Sequence, residues 1–335
     1  MVQYINEVHR MSNIIWTFDN LDFEKKVIGP LNQSLSIINL ELDINLTHIP
    51  NHLLIDNDEM TDLVLTLLNI LNRLFNEKVN WHDKELIHII SSIKHATSLA
   101  DVEEEIVNFY HHKTLILNTQ EGKKIYAKTL MQKQYLNLLE TSSILFVTGS
   151  AGTGNTYLAV AYAVASLKKN EIKKIIITRP AVEAGEKLGF LPGDLKEKVD
   201  PYLIPIYDAL NEFLGKENVD KLVEKGVIEI APLAYMRGRT LDHAIIILDE
   251  AQNTTSNQMK MFVTRLGFNS KMIITGDLSQ IDLQKGISSG LLEATKLLTN
   301  ITGINHLHFT KHDVMRHPLV SKIIERYEKE SNDTL

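Results

Sequence analysis

The sequence has no cysteine among its 335 residues. This excludes disulfide bridges, zinc sites with thiolate ligands and a cysteine nucleophile. Long apolar runs are also missing: the longest spans residues 157–165, well short of the roughly 20 residues that cross a bilayer. The first residues lack the basic and then apolar stretch of a signal peptide, so we expect a cytoplasmic protein with no membrane partner.

Charge is distributed unevenly along the chain. The net charge is −7, and residues 1–120 hold 8 Lys or Arg against 17 Asp or Glu, whereas the remainder holds 27 against 25. An acidic first third disfavours polyanions, because its carboxylates repel phosphates. We therefore expect any nucleic-acid site on the nearly neutral remainder, as a local patch.

Two domains are expected: a small α+β domain over residues 14–112 and a larger one over residues 125–330. In the first, near-alternation of apolar residues over 34–46 predicts a strand. Apolar residues at helical spacing predict helices around 63–74 and 86–93. Residues 113–128 read as a connector with a small strand or turn.

The second domain has the pattern of an α/β fold with a parallel sheet. Short apolar runs, each predicting a buried strand, alternate with helical segments and loops. These runs span residues 144–148, 174–178, 227–231, 244–248 and 272–275. The remaining length suffices for one such core and not for two, and a helix is expected over 155–167.

A glycine-rich loop joins the first of these runs to the predicted helix. It follows the P-loop pattern G-x-x-x-x-G-K-[ST], with Asn in place of Lys, through Gly149, Ser150, Ala151, Gly152, Thr153, Gly154, Asn155 and Thr156. Backbone N–H groups and the positive end of the helix suit phosphates, and Thr156 is placed to bind Mg²⁺. Replacing the lysine removes a charge-assisted hydrogen bond of roughly 1.5–3 kcal/mol, about 10- to 100-fold in binding. Hydrolysis should suffer more, because charge grows on the phosphate oxygens in the transition state.

The strand predicted at 244–248 ends in two carboxylates. Asp249 would hold Mg²⁺ and Glu250 would orient or activate the attacking water, as in the second half of an ATPase site. The next strand ends in Gly276 and Asp277, and Gln280 fits the γ-phosphate sensor of helicase-like ATPases.

One further side chain indicates which nucleobase is bound. Gln132, ahead of the first buried strand, lies where such ATPases read adenine with a glutamine. An Asn-Lys-x-Asp motif, which reads guanine, does not follow. ATP is therefore expected rather than GTP.

Longer stretches around these motifs resemble PhoH-like proteins. They are TRPAVEAGEKLGFLPGD at 178–194, APLAYMRGRTL at 231–241, IILDEAQNT at 246–254, MKMFVTRL at 259–266 and RHPLV at 316–320. The resemblance covers about residues 125–328. It implies a cytoplasmic, ATP-binding RecA-like P-loop core related to superfamily 1 helicases, preceded by a small KH-like N-terminal domain. The family's loop reads GTGKT where this chain reads GTGNT, and the first segment has no G-x-x-G loop to support RNA binding there.

The resemblance also implies partners. Family members are linked to RNA metabolism, often beside an endoribonuclease, and form rings, expected to be hexamers. Because a single core does not complete a helicase motor, the catalytic arginine should come from a neighbouring subunit. Arg316 is preferred for phosphate, and Arg237 and Arg239 for RNA or a subunit contact. A surface or core-edge salt bridge is the alternative for each of these three. Arg179 suits a nucleic-acid backbone or a structural role.

Two functional hypotheses follow from the sequence. The first is an ATPase that acts on RNA, with helicase-like chemistry weakened by Asn155. The second is a scaffold that binds nucleotide without hydrolysing it and docks an RNA-processing partner. A small-molecule kinase is disfavoured, because kinases with a P-loop lack the Asp-Glu-Ala-Gln and Gly-Asp-x-x-Gln pair.

Overall fold

The chain divides into two compact units, Met1–Thr114 and Leu115–Leu335. The computed structural model describes residues 13–56, 58–150, 152–180, 203–284, 286–310, 313–314, 323 and 326. Within these ranges, no helix is both long enough and apolar enough to span a bilayer.

The N-terminal unit combines a small antiparallel sheet with helices. Its strands pair in the order β1-β3-β2. Its described elements are β1 (Asn13–Thr17), α1 (Leu21–Ile28), α2 (Gln33–Leu42), β2 (Leu46–Ile49), β3 (His52–Ile55), α3 (Thr61–Asn76), α4 (Asp83–Lys94) and α5 (Leu99–His111).

The strand predicted over residues 34–46 is wrong. Most of this segment forms α2, and β2 begins only at Leu46. The buried side chains of α2 are Leu35, Ile38 and Leu42, which recur at helical spacing, while Leu40 is 61% exposed. The apparent alternation therefore included apolar residues that do not share a buried face.

The helices predicted around 63–74 and 86–93 are confirmed as α3 and α4. Helix α3 buries an apolar face with side chains at spacings of three and four residues, among them Val64, Leu67, Leu71 and Leu74. Removal of this face from water is the main contribution that such a helix makes to stability.

The C-terminal unit begins with a two-stranded hairpin and continues into an α/β core. Its described elements are β4 (Leu115–Asn118), β5 (Lys124–Tyr126), α6 (Leu130–Thr141), β6 (Ile144–Gly149), α7 (Asn155–Lys168), β7 (Lys174–Arg179), α8 (Ile204–Leu214), α9 (Lys216–Glu224), β8 (Ile228–Pro232), β9 (Ala244–Leu248), α10 (Ser256–Val263), β10 (Lys271–Gly276), α11 (Gly290–Leu297) and β11 (Ile304–Phe309).

The core sheet has six described strands in the order β11-β6-β10-β9-β7-β8, and all neighbouring pairs are parallel. The strands predicted from apolar runs are confirmed as β6 to β10, and their central residues are buried because helices cover both faces of a parallel sheet. Strand β10 lies between β6 and β9. Since parallel strands end at the same edge, this order brings the glycine-rich loop after β6 close to the carboxylates after β9. The fold is the RecA-like P-loop core predicted from the sequence.

Candidate functional site

The glycine-rich loop leaves the sheet beside the neighbouring strand β11. Gly149 has φ +156°, and a Cβ atom there would lie 2.5 Å from the Cβ of Phe309 and 2.8 Å from its carbonyl oxygen. Gly154 ends the loop as the N-cap of α7, with φ +81° in the left-handed region. Both positions need glycine for these local reasons.

Two side chains of α6 donate hydrogen bonds to backbone carbonyl oxygens of the loop. The buried Gln132 donates from Nε2 to the carbonyl oxygen of Thr153 over 3.2 Å, and its Oε1 accepts from the backbone N–H of Lys128 at 2.8 Å. The hydroxyl of Tyr135 donates to the carbonyl oxygen of Asn155 at 3.3 Å. Gln132, the predicted adenine reader, therefore braces the phosphate loop in this structure.

Burial raises the pKa of the Tyr135 phenol far above its usual range, and the negative charge of Asp249 raises it further. The phenol consequently stays protonated at neutral pH and remains available as a hydrogen-bond donor.

Asn155, which replaces the P-loop lysine, turns its side chain back onto its own helix. Its Oδ1 accepts a hydrogen bond from the backbone N–H of Thr156 at 2.7 Å and lies 3.3 Å from the Thr156 hydroxyl. The first N–H groups of a helix have no partner inside the helix, so a polar side chain can cap them. The carboxamide thus accepts a hydrogen bond from an N–H group that could otherwise bind an anion.

The hydroxyl of Thr156 also reaches the first carboxylate after β9. It donates to Oδ1 of Asp249 at 2.7 Å, and the buried hydroxyl of Thr275 donates to the same oxygen at 2.9 Å. Asp249 is itself only 7% exposed. Such donors stabilise a buried carboxylate. The ends of β9 and β10 and the first turn of α7 are therefore joined by hydrogen bonds at the carboxylate of Asp249.

These groups are oxygen donors of the kind that Mg²⁺ prefers. Across the described ranges, no cluster of three or more His, Cys, Asp or Glu side chains could hold a metal ion. Thr156 and Asp249 fit Mg²⁺, because this ion commonly takes one or two protein ligands and completes its octahedron with water and phosphate oxygens.

An arginine lies beside the carboxylates. The registers of β7, β9 and β10 place Arg179, Asp249 and Thr275 in one row across the sheet, each one residue beyond a paired position. The guanidinium nitrogen Nη2 lies 3.1 Å from Oε1 of Glu250, and Nη1 lies 4.0 Å from Oδ2 of Asp249. The Arg179 side chain is 22% exposed, so it sits in the cleft rather than on the open surface.

Glu250 is held on both of its oxygens. While Arg179 contacts Oε1, the Nε2 of Gln252 donates to Oε2 at 2.6 Å. The backbone of Glu250 is left-handed, with φ +53° and ψ +37°. This conformation is uncommon for a residue with a side chain and is often found at functional sites.

The fully buried Gln252 links the two strand ends. Besides its bond to Glu250, its Nε2 donates to the carbonyl oxygen of Gln280 at 3.1 Å, and its Oε1 accepts from the N–H of Asp277 at 3.1 Å. Gln280, the predicted sensor, donates from its own side chain to Oδ2 of Asp277 at 2.7 Å. Sequence reasoning did not assign a role to Gln252 or Thr275, although Gln252 stands in the Asp-Glu-Ala-Gln motif.

Some predicted positions lie elsewhere. Ala151 and Arg316 are outside the described residues, as is most of the 178–194 stretch. Arg239 forms a two-point ion pair with Glu229, at 2.5 and 2.8 Å. This pair favours the structural alternative for Arg239, while Arg237 is exposed.

Comparison with known proteins extends the local match to most of the chain. The family model for PhoH-like protein matches residues 124–328. A PhoH-like protein of Bacillus subtilis is 48% identical over 313 residues, which cover 93% of this chain and 96% of that protein. A PhoH-like protein of Synechocystis is 53% identical, covering 66% of this chain and 67% of its own length.

More distant proteins overlap less. Protein PhoH of Escherichia coli is 42% identical, over 63% of this chain and 60% of that protein. Among solved structures, the Pif1 helicase from Candida albicans overlaps 54% of this chain and 40% of its own, with 15% identity and a TM-score of 0.29. The family model spans more than half of this chain, and the Bacillus relative aligns with nearly all of it. The chain therefore belongs to the PhoH-like protein family.

Proposed function

We propose that this protein binds ATP with Mg²⁺ and hydrolyses it. The observation that carries the proposal is the 2.7 Å hydrogen bond between Thr156 and Asp249, because it joins the phosphate loop to a carboxylate beside Glu250. Loop N–H groups bind the phosphates, and Thr156 and Asp249 hold the metal. Bound by these two residues, Mg²⁺ would supply positive charge that offsets the negative charge developing on the phosphates.

Glu250 orients and activates the attacking water in this proposal. Both of its oxygens lie within hydrogen-bond distance of donors, Arg179 and Gln252. These contacts hold the carboxylate in a fixed position, as a general base requires. Gln280 reports the state of the γ-phosphate through the Asp277 and Gln252 contacts.

A phosphate-release assay with ATP and Mg²⁺ tests the proposal. Glu250→Gln preserves the shape and removes the base, so we expect turnover to fall by about 100-fold or more. Glu224→Gln, on the exposed face of α9, is the matched control and should leave turnover unchanged. Turnover that is equal in both variants would contradict the role of Glu250.

The scaffold remains a second candidate because of Asn155, which is neutral and capped onto Thr156. In that case isothermal titration would detect ATP binding while phosphate release stays at the buffer rate. Failure to bind at millimolar nucleotide would contradict both candidates.

We propose single-stranded RNA as the macromolecular substrate. Although the excess of carboxylates in residues 1–120 disfavours polyanions, support comes from the fold of the N-terminal unit. Its first six helices and strands follow the β-α-α-β-β-α order of KH-like modules, and its sheet has their strand order. Such modules clamp nucleic-acid backbones with a G-x-x-G loop. In the corresponding Gly29-Pro30-Leu31-Asn32 segment, Gly29 has φ +75° and Asn32 has φ +62°. Asn is among the few residues that tolerate this conformation, so it can stand where the second glycine would.

RNA binding is tested by fluorescence anisotropy with a labelled single strand, together with its effect on ATP turnover. Leu31→Asp adds a negative charge to the exposed loop and should weaken binding by repelling phosphates. Leu40→Asp adds the same charge on an exposed position of α2 and serves as the control. Equal affinities of the two variants would move the RNA site away from this loop.

The hexameric ring and the endoribonuclease partner stay predictions from the family resemblance. Sedimentation velocity of the full chain, with and without ATP and Mg²⁺, tests the ring. Sedimentation as a monomer under both conditions would contradict it.

A further inference from the structure

The described part of the nucleotide site is rich in negative charge. Asp249, Glu250 and Asp277 bring three carboxylates to the ends of β9 and β10, and Asn155 brings no positive charge to the loop. A nucleoside triphosphate adds several further negative charges. Like charges this close repel strongly in a partly buried cleft, so a polyphosphate needs a protein cation in addition to the metal.

Arg179 is positioned to be that cation. Arg179 and Thr156 lie beside different oxygens of the Asp249 carboxylate. The Thr156 hydroxyl lies 2.7 Å from Oδ1, and Nη1 of Arg179 lies 4.0 Å from Oδ2. A single carboxylate therefore separates the guanidinium from the metal-binding hydroxyl of the phosphate loop.

We propose that Arg179 supplies to the bound triphosphate the positive charge that Asn155 does not. The inference rests on the proposed nucleotide site and names the residue that makes it work without the usual lysine. A guanidinium keeps its proton at every physiological pH and presents five N–H donors in a plane. It can accordingly bind a phosphate oxygen with one nitrogen while another still contacts Glu250.

The contact of Arg179 with Asp249 is the weaker of the two described here. The 4.0 Å separation between Nη1 and Oδ2 is longer than a hydrogen bond, so a phosphate oxygen at hydrogen-bond distance would attract the guanidinium more strongly. Glu250 keeps its 2.6 Å bond from Gln252 throughout. The charge on the phosphate replaces the charge on Asp249 as the partner of the guanidinium.

The test is a set of four full-length proteins: the native chain, Arg179→Gln, Asn155→Lys and the double variant. Titration calorimetry gives the dissociation constants for ATP and AMP with Mg²⁺. In the native background, Arg179→Gln should weaken ATP binding about 10- to 100-fold, because a charge-assisted hydrogen bond is lost, and AMP binding much less. In the Asn155→Lys background, the restored lysine should reduce the loss for ATP to about threefold or less.

Two controls address folding and nonspecific charge. Arg179→Lys keeps the charge and should retain most of the ATP affinity. Lys221→Gln removes an exposed positive charge on α9 and should leave the affinity for ATP unchanged. Thermal unfolding monitored by circular dichroism identifies any variant that loses its fold. If Arg179→Gln does so, Arg179→Met, which keeps the apolar part of the side chain, replaces it in both backgrounds.

The outcomes are distinct. If Arg179→Gln binds ATP like the native chain, or loses affinity equally in both backgrounds, the inference is overturned and the nucleotide site stands. If Asn155→Lys binds ATP and the native chain does not, Arg179 fails to compensate, and again only the inference falls. Absence of binding in all four proteins overturns the proposed function itself.

Discussion

The hydroxyl of Thr156 donates a hydrogen bond of 2.7 Å to the carboxylate of Asp249, although 93 residues separate them in the sequence. The bond connects the first turn of α7 with the end of β9, and β10 lies between β9 and the strand that feeds α7. The two halves of the candidate site are thus assembled in the fold itself.

Thr275 supports Asp249 from the neighbouring strand, and this gives a first prediction. Thr275→Val removes the 2.9 Å bond to Oδ1 at nearly constant volume. A lost outer contact of this kind costs about 10- to 100-fold in metal affinity, so the Mg²⁺ concentration for half-maximal ATP binding should rise by that factor. Thr275→Ser keeps a hydroxyl and should stay within a few-fold of the native value. Identical Mg²⁺ titrations for the two variants would show that the bond does not position Asp249.

Gln252 gives a second prediction. Gln252→Leu leaves the N–H of Asp277 without its acceptor and Oε2 of Glu250 without its donor. An unsatisfied buried polar group costs about 1–3 kcal/mol, so the free energy of unfolding, measured in urea, should fall by at least that amount. ATP turnover should fall as well, because Glu250 is then held on only one of its two oxygens. Gln284→Leu, on an exposed residue, is the comparison, and an equally small loss in both variants would contradict the role of Gln252.

The close approach of the phosphate loop to β11 gives a third prediction. Gly149→Ala places a methyl group 2.5 Å from the Cβ of Phe309, whereas Gly226→Ala, with φ +66°, meets nothing within 4 Å. Gly226→Ala should cost roughly 1–2 kcal/mol from backbone strain alone. Gly149→Ala should cost about 1–3 kcal/mol more than that control, because the methyl group overpacks the sheet. Urea unfolding of both variants measures the difference, and equal losses would exclude the steric account.

Lys271 gives a prediction for pH. Burial lowers the pKa of Lys271 to about 8, although Glu140 and Glu171 act in the opposite direction. The native group therefore loses its proton near pH 8, while the unfolded chain keeps it until about pH 10.4. Because the unfolded state binds more protons in this window, the free energy of unfolding should rise between pH 8 and pH 10.

Lys271→Met removes this rise and should stabilise the protein at pH 7. Lys174→Met, at the exposed first residue of β7, is the control and should retain the native pH profile. Urea unfolding at pH 7, 8, 9 and 10 gives the comparison. A flat profile in the native chain would contradict the pKa assigned to Lys271.

The sequence predicted those parts of the site that follow a contiguous pattern. A glycine-rich loop between a strand and a helix, and Asp249 at the end of another strand, are recognisable without knowledge of strand order. Thr275 and Arg179 acquire their contacts from the register of three parallel strands, which places residues far apart in sequence in one row. Such a row cannot be deduced from local spacing, so the sequence alone is compatible with both of the roles given for Arg179.

The small N-terminal sheet illustrates the same limit. Alternation over residues 34–46 is compatible with both a half-buried strand and a short helix with extra apolar residues on its open face. Tertiary contacts favour the helix, since they bury Leu35, Ile38 and Leu42 on one face of it. The longer α3 was predicted correctly because its apolar positions repeat over four turns, too many to fit another period.

The carboxamide of Asn155 accepts a hydrogen bond from the N–H of Thr156 and so takes a position at the phosphate loop that an anion could occupy. This bond satisfies one of the N–H groups at the start of α7 from within the chain, so the first turn of the helix is stabilised locally. An anion that binds to this N–H must first displace the internal bond, so its net affinity there reflects the exchange of one hydrogen bond for another.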